Sequence, residues 1–321
     1  MKFERFISTF VMMNIVLLIA AAFAGKNDLM MSTLAKILYA KQVDSAYFEL
    51  PPENLENFAK DSDKDIKNAM SDIFAKTSIS KEKFTEISSL APYEHSVAIV
   101  KMFSLMGDGE CLTGDNIVDK ITKSSEKNGC AKDFAQIFTL LATAAGLDVR
   151  IVSNGMHYGT EIFDGEKWIY IDPYFAMSAS SETEVMSYKQ FAEAMLNNGW
   201  MRFNQFGGEN HCMNGKQVTD HPYFGDKSMF ANISVINGSN ILEMLSLENR
   251  YNSKHALIKY LAPHKNGHPK VFYSEPEDSE GSILRKYVTA YMVVVALIFL
   301  GTNIVLPVYF IVSLIGRSGK K

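Results

Sequence analysis

The segment from Tyr287 to Ile315, which contains no charged side chain, limits the fold of this chain more than any other feature. A transmembrane α-helix needs about 20 consecutive apolar residues, so this segment is long enough for one span and too short for two. Asn303 and Pro307 predict a kinked or tilted helix, because proline removes one backbone hydrogen bond. The sequence therefore predicts a membrane helix over 287–315 and a basic cytoplasmic tail over 316–321.

A second apolar stretch, Phe10 to Ala24, follows the basic residues Lys2 and Arg5 near the N-terminus. This pattern is typical of a secretory signal peptide, and residues 22–24 (Ala-Phe-Ala) suit a cleavage site. Without cleavage, the same stretch and the residues just before it are long enough to act as an anchor. Residues 1–25 are therefore predicted to be either a signal peptide or a signal anchor. Both interpretations place the middle of the chain outside the cytoplasm, at the cell membrane.

The overall composition is that of an ordinary globular protein. Of the 321 residues, 47% are hydrophobic and 21% are charged, which allows a sizeable buried core. The net charge of −4 gives no general attraction to nucleic acid, so no nucleic-acid partner is expected. Membrane lipid around the C-terminal helix is the partner that the composition predicts.

The chain contains three cysteines, Cys111, Cys130 and Cys212. In an exported protein, an odd number leaves one thiol free or pairs it with another chain. We expect a disulfide between Cys111 and Cys212, with Cys130 free.

The predicted elements indicate an α+β fold between the two apolar ends. Apolar residues recur at helical spacing over 26–106, which predicts a helical region. Residues 107–273 are predicted to form the main domain. Its second half, over 176–272, has mixed signals that include helices over 188–197 and 241–261. The polar, acidic stretch that opens 274–286 predicts a linker into the membrane helix.

The segment 128–174 carries the clearest signals. It predicts a helix bearing Cys130 and ended by Gly146, then a strand over 147–152. Asp164-Gly165 is a strong hairpin signal, and it predicts that the strands over 157–163 and 167–171 pair with each other. In this order, the cysteine-bearing helix covers one face of an antiparallel sheet.

Cys130 is the candidate nucleophile. Asn128 is a favourable N-cap residue and would place Cys130 in the first turn of the helix, where the helix dipole helps to lower the pKa of a thiol. A cysteine in such a place, taken alone, is more often a small buried core residue.

The hairpin adds a base and a carboxylate. A two-residue turn at Asp164-Gly165 places His157 directly opposite Asp172, with both side chains on one face of the sheet. An imidazole oriented by a carboxylate is the usual activator of a nucleophile. The alternative is a surface His–Asp pair without a catalytic role.

These residues together resemble the transglutaminase-like superfamily, a circularly rearranged relative of papain-type cysteine peptidases. The family pattern is Gly-x-Cys-x-Asp, an apolar helix, a Gly-Ile-Pro-like bend, Arg-Val, and then His, Glu, Trp and Asp-Pro. The match covers about fifty residues, roughly a sixth of the chain. In order, the chain offers Cys130, Asp133, Phe138, Leu141, Gly146-Leu147, Arg150, His157, Glu161, Trp168 and Asp172-Pro173.

Two positions depart from the pattern. Gly129 is adjacent to the cysteine instead of two residues before it, and Tyr158-Gly159 replaces the usual small residue and tryptophan after the histidine. The second departure points to an altered substrate groove or a degenerate site.

The resemblance implies a papain/transglutaminase-like core with a Cys130–His157–Asp172 triad. Cys130 would attack a carbonyl to form a thioester, His157 would move the proton, and Asp172 would hold the imidazole. The backbone N–H of Cys130 would be one oxyanion donor.

The function expected from this resemblance is that of a membrane-anchored, extracytoplasmic cysteine hydrolase. Its substrate would be a peptide or isopeptide amide bond in a protein, a peptide or an envelope polymer. The alternatives are an amine-accepting, crosslinking transglutaminase and a non-catalytic transglutaminase-fold adaptor in surface-polymer export or assembly. No cofactor is expected. No metal is expected either, because His211, Cys212 and His221 lack a recognised zinc spacing.

Overall fold

The computed structural model of the chain describes residues 3–24, 26–56, 58–103, 107, 109–112, 115–206, 221–250, 271–275 and 280–318. These residues form two compact units. The first contains the described residues up to Leu38 and from Glu280 onward, and the second contains those between them.

The helices are α1 (Phe3–Ala24), α2 (Asp28–Tyr39), α3 (Asp63–Lys76), α4 (Lys81–Glu86), α5 (Pro92–Phe103), α6 (Ile117–Ser125), α7 (Ala131–Ala144), α8 (Tyr188–Asn197), α9 (Ile241–Arg250), α10 (Glu280–Leu300) and α11 (Leu306–Ser318). The strands are β1 (Ala40–Gln42), β2 (Ala59–Lys60), β3 (Asp148–Ser153), β4 (Tyr158–Phe163), β5 (Trp168–Ile171), β6 (Met177–Ser180), β7 (Arg202–Gln205), β8 (Ile233–Ile236), β9 (Gly238–Ser239) and β10 (Val271–Ser274).

The first unit contains the predicted membrane helix. Within the described part of the chain, one stretch, Ser282–Val312, is long and apolar enough to cross a membrane by its length and composition. A π-helical turn over Gly301–Val305 separates α10 from α11. This turn lies just before Pro307, whose missing N–H prevents a regular α-helical hydrogen bond. The irregularity therefore lies where Asn303 and Pro307 predict one.

The N-terminal apolar stretch forms α1 in the same unit. The ring of Phe6, near the start of α1, stacks on Phe310 in α11 with 4.3 Å between ring centroids. Met31 and Leu34 of α2 form a small apolar cluster with Val288 of α10. Helices from the two ends of the chain therefore pack together.

The second unit contains a mixed six-stranded sheet in the order β1-β10-β8-β3-β4-β5. All neighbouring pairs in it are antiparallel except β1 and β10, which are parallel. The predicted antiparallel sheet is confirmed where α7 packs on it, and the parallel pair at one edge makes the whole sheet mixed. Strand β1 lies in the segment predicted to be helical. It has only three residues and directly follows α2, so the sequence pattern does not distinguish it from the helices around it.

Helix α7 is the centre of the core. It packs on β3 and β4, and every residue from Asp133 to Thr143 is buried. Apolar residues of α3 and α5, such as Ile73 and Ile99, belong to the same core cluster. The predicted division near residue 106 therefore falls inside a single compact unit.

The predicted elements around the site are close to the observed ones. Helix α7 ends near Gly146, which has a φ of +87° and suits the left-handed residue that follows a helix. Helix α8 has the predicted bounds, and α9 covers the first part of the predicted helix over 241–261. Residues 251–261 and 276–279 lie outside the described residues, and the end of the predicted linker belongs to α10.

Candidate active site

A buried carboxylate, Asp172, follows strand β5 and organises the site. Its Oδ2 accepts hydrogen bonds from the Tyr170 hydroxyl and shares one with His157 Nε2, each at 2.7 Å. Its Oδ1 accepts from the backbone N–H groups of Tyr174 and Phe175, at 3.1 and 3.0 Å. Asp172 has no exposed surface, so these four contacts replace the water that the charged form requires.

Two aromatic rings contact the imidazole of His157. Its ring stacks on Phe175 at 4.9 Å and lies 4.5 Å from the ring of Tyr223, between centroids. Its backbone N–H donates to Asn154 Oδ1, which fixes the turn before β4. Because Nε2 faces Asp172, Nδ1 is the ring nitrogen that would exchange a proton with a thiol.

The pairing of His157 with Asp172 arises from a register that differs from the predicted one. Phe163 pairs with Trp168, so the turn is centred on Gly165-Glu166 instead of Asp164-Gly165. The carboxylate of Asp164 accepts from the N–H groups of Glu166 and Lys167, both at 2.9 Å, and this moves the turn by one residue.

The shifted turn changes the cross-strand partner of each residue in β4 by two positions along β5. Because side chains alternate between faces, each one stays on the predicted face of the sheet. Extended by one pair beyond Thr160 and Ile171, the register sets Gly159 opposite Asp172. His157 and Asp172 are thus diagonal neighbours, and the prediction that they lie directly opposite is wrong. Their contact is nevertheless present, because a diagonal pair remains within side-chain reach.

Gly159 is explained by the ring of Tyr170. A Cβ atom at position 159 would lie 2.5 Å from Tyr170 Cε2, so a larger residue would displace this ring. Burial and the nearby Asp172 charge raise the pKa of Tyr170 well above its ordinary value, so its hydroxyl stays protonated and donates to Asp172. Gly159, which departs from the family pattern, makes room for Tyr170 as a second side-chain partner of the carboxylate, beside His157.

Cys130 stands at the N-cap of α7, which begins at Ala131. The expectation that Asn128 caps this helix is therefore wrong, and Cys130 stands two helix positions earlier than predicted, at the N-cap itself. The carboxylate of Asp133 accepts from the Cys130 N–H at 3.0 Å. This N–H is thus occupied, and its predicted role as an oxyanion donor does not apply to the form described.

A disulfide joins Cys130 to Cys111. The expected Cys111–Cys212 bond is therefore wrong, and Cys212 itself lies outside the described residues. The observed pair closes a loop of sequence separation 19, which costs less chain entropy than the much longer loop to residue 212. In this form the Cys130 sulfur is not a nucleophile.

The segment that carries Cys111, here named the strap (residues 107 and 109–112), lies against the start of α7. Its Gly109 N–H donates to Gly129 O at 3.1 Å, and Gly107 O accepts from the Tyr174 hydroxyl at 3.0 Å. A Cβ atom at Gly107 would lie 2.0 Å from Gly129 O, so the close approach requires glycine.

A buried ion pair holds the strap to the helix. Asp133 Oδ2 accepts from the Leu112 N–H at 2.9 Å as well as from Cys130, and Asp133 Oδ1 pairs with Lys120. Lys120 also donates to Leu112 O at 2.8 Å. Both charged side chains are almost fully buried.

The sequence did not identify Lys120 or Tyr170 as residues of the site. Gly107, Gly109 and Gly129 were the available sign of a close backbone approach.

Aromatic contacts connect the helix start to the histidine. The ring of Tyr174 lies 5.3 Å from the ring of Phe134, in the first turn of α7, and 5.9 Å from that of His157. His221 lies on the same cluster, 5.1 Å from Phe175. Burial and the neighbouring His157 lower the pKa of His221. His211 and Cys212, the other two members of the weak metal set, lie outside the described residues.

The remaining residues of the family pattern form a separate, structural group. Arg150 Nε donates to Glu161 Oε2 at 2.7 Å, and its guanidinium carbon lies 3.9 Å from the ring centroid of Trp168. All three side chains are buried. They support the sheet and do not touch Asp172 in any contact described above.

Comparison with protein-family models, with curated proteins and with solved structures finds no match to this chain.

Proposed function

We propose that the chain is a membrane-anchored, transglutaminase-like cysteine hydrolase whose nucleophile, Cys130, acts once its disulfide is reduced. The observation that carries this proposal is the buried His157–Asp172 pair, with Tyr170 as a further donor to the carboxylate. The order of a cysteine-bearing helix, a strand and a hairpin with histidine and aspartate supports a transglutaminase-like core. The proposed substrates are amide bonds of peptides, isopeptides or envelope polymers.

In the proposed reaction, His157 Nδ1 takes the proton of the reduced Cys130 thiol. Asp172 holds the imidazole in the tautomer with a proton on Nε2 and stabilises the imidazolium. The thiolate attacks the amide carbonyl, and His157 returns the proton to the leaving amine, which produces a thioester on Cys130. Water then releases the acid and restores the thiol. An amine in place of water would make the same site a crosslinking transglutaminase.

The proposal is tested with an activated ester, since the natural substrate is not needed to form a thioester. Full-length protein in detergent, in a Cys212→Ala background, is treated with p-nitrophenyl acetate before and after reduction. We expect acetyl-Cys130 by mass spectrometry after reduction and no acetyl-Cys130 before it. The Cys111→Ala variant, which cannot form the disulfide, should be acylated without reductant. A folded Cys111→Ala variant that is not acylated at Cys130 would overturn the proposal.

A second function, a non-catalytic adaptor that binds a partner in surface-polymer export or assembly, is favoured by one specific observation. The family pattern Gly-x-Cys-x-Asp fits Gly129 and Asp133 at its two ends, and the position between them that should hold the nucleophile is Ala131. The Cys130 N–H donates to Asp133, so it is not available as an oxyanion donor, and this also favours the adaptor. Failure of the acylation experiment would leave this function as the better account.

An extracytoplasmic location of the second unit is supported by the helices at the two ends. Lys2 and Arg5 precede or open α1, and Arg317 lies at the end of α11. The stacking of Phe6 on Phe310 places the start of α1 beside α11. Positive residues favour the cytoplasmic side, so the basic residues before α1 and after the C-terminal span suit an anchor with its N-terminus inside and a C-terminal span with its tail inside.

We therefore expect α1 to remain in the mature protein as an anchor. The packing of α1 with α10 and α11 would be lost if a signal peptidase removed it. Mass spectrometry of the N-terminal peptide from protein purified out of membranes measures this directly. A mature chain that begins near residue 25 would contradict the anchor and identify α1 as a signal peptide.

A further inference from the structure

We infer that the Cys111–Cys130 disulfide is a reversible lock that an external dithiol opens at Cys111, with Cys130 as the leaving thiolate. This inference rests on the proposed function for its consequence, because the released sulfur is the proposed nucleophile. The opening of the bond itself is a separate event that requires no catalysis by the site.

The two cysteines differ in access. Cys111 is exposed, whereas Cys130 is only 8% exposed. An attacking thiolate must approach a sulfur along the S–S axis, and access decides which sulfur is attacked. The exposed side of this bond is Cys111, so the external thiol becomes attached there.

The two sulfurs differ also as leaving groups. Cys130 stands at the N-cap of α7, where the helix dipole favours a negative charge. Asp133, the acidic residue closest to it in the first turn, is paired with buried Lys120, which offsets its repulsion of a thiolate. A better stabilised thiolate leaves faster. Access and leaving ability thus select the same direction of opening.

Opening of the disulfide by a dithiol takes two steps. A thiolate of the dithiol bonds to Cys111 Sγ, and the electron pair of the broken S–S bond passes to Cys130 Sγ. The second thiol of the reductant then attacks the reductant's first sulfur, which is bonded to Cys111 Sγ in the mixed disulfide. This step releases Cys111 as a thiol and leaves the reductant as a disulfide. Two electrons and two protons pass from the dithiol to the two cysteines.

The strap remains attached to α7 through contacts other than the disulfide. The Leu112 N–H donates to Asp133, and the Gly109 N–H donates to Gly129 O. Lys120 bridges Leu112 O and the Asp133 carboxylate. Cys111 therefore stays beside Cys130 after reduction, at a high effective concentration, and an oxidant closes the lock within the same molecule. These contacts make the lock reversible.

Opening is tested with a monothiol, because it cannot resolve the mixed disulfide by itself. Full-length Cys212→Ala protein is incubated with glutathione in detergent without denaturant, quenched in acid with N-ethylmaleimide, and mapped by peptide mass spectrometry. We expect glutathione on Cys111 and maleimide on Cys130, in at least about a tenfold excess over the opposite pattern. Glutathione mainly on Cys130, or no opening without denaturant, would overturn the inference.

A control separates this inference from the proposed function. The His157→Ala variant should open more slowly but still carry glutathione mainly on Cys111, because the exposure of Cys111 does not depend on the imidazole. Glutathione mainly on Cys130 in this variant would contradict the direction argued from access. Opening of the disulfide at Cys111 without acylation of Cys130 would support the reversible disulfide and contradict the proposed enzyme. Acylation of Cys130 in Cys111→Ala, without opening of the disulfide in the native protein, would support the enzyme and contradict the reversible disulfide.

Discussion

Replacing Arg150 by methionine is expected to lower the free energy of unfolding by about 3–5 kcal/mol. Arg150 and Glu161 are 0% and 1% exposed as side chains, and the variant would leave the Glu161 carboxylate buried without its cation. Arg150 also donates to Phe48 O and covers the ring of Trp168, so these contacts are lost as well. Urea unfolding of the full-length protein in detergent, followed by tryptophan fluorescence, measures the change, because Trp168 is fully buried.

The matched control is Lys76→Met. Lys76 pairs with Asp72 on the surface, where both side chains are more than half exposed, and its loss should change stability by no more than about 0.5 kcal/mol. The double variant Arg150→Met/Glu161→Gln should recover part of the loss, because glutamine is neutral and can still accept from the Tyr188 N–H. A cost below about 1 kcal/mol for Arg150→Met would contradict the buried pair.

The cost should also depend on pH. Burial raises the pKa of Glu161, and the Arg150 charge opposes this rise. Without Arg150, the folded-state pKa moves further above that of the unfolded chain. The folded variant then binds a proton that the unfolded chain releases, so its stability falls as pH rises through the folded-state pKa. We expect Arg150→Met to be less destabilising at about pH 5 than at about pH 8.

Replacing His157 by alanine is expected to slow acylation of reduced Cys130 by about 10²–10⁴-fold. The variant removes the base that takes the thiol proton and leaves Asp172 with its other donors, Tyr170, Tyr174 and Phe175. Stopped-flow release of p-nitrophenol from p-nitrophenyl acetate measures the rate in the reduced Cys212→Ala background.

His221→Ala is the control for this effect. His221 shares the aromatic cluster through Phe175, and its Nδ1 accepts from the Tyr223 N–H, but it is not the partner of Asp172. We expect a change of less than about threefold in the acylation rate. Equal losses in both variants would indicate a general disturbance of the aromatic cluster and would contradict a specific role for His157.

The sequence predicted local elements better than their partners. Helix α7 was predictable because its apolar spacing and Gly146 agree, and α8 has the expected bounds. The hairpin register was not predictable from the sequence. A turn at Asp164-Gly165 and a turn at Gly165-Glu166 differ mainly in whether the Asp164 carboxylate accepts from the N–H groups that follow it. The shift is by two residues, so both side chains still lie on the predicted face of the sheet and His157 contacts Asp172.

The state of Cys130 was the largest error. Three cysteines allow three pairings, and the sequence contains no direct measure of which two lie close in space. The strap is held by Asp133 and Lys120, both charged residues that sequence patterns assign to the surface. Their burial depends on long-range contacts with Leu112, which local spacing does not encode.

The most direct test of the activated thiol is the pH profile of alkylation in the reduced full-length Cys212→Ala protein. Iodoacetamide labelling of Cys130 and Cys111 is followed separately by peptide mass spectrometry, and exposed Cys111 serves as the ordinary thiol of the same molecule. We predict that Cys130 reacts quickly below about pH 7 and loses this reactivity in His157→Ala, while Cys111 reacts with a midpoint at about pH 8.5. Profiles of Cys130 and Cys111 that coincide, with no effect of His157→Ala, would contradict the enzyme and favour the adaptor.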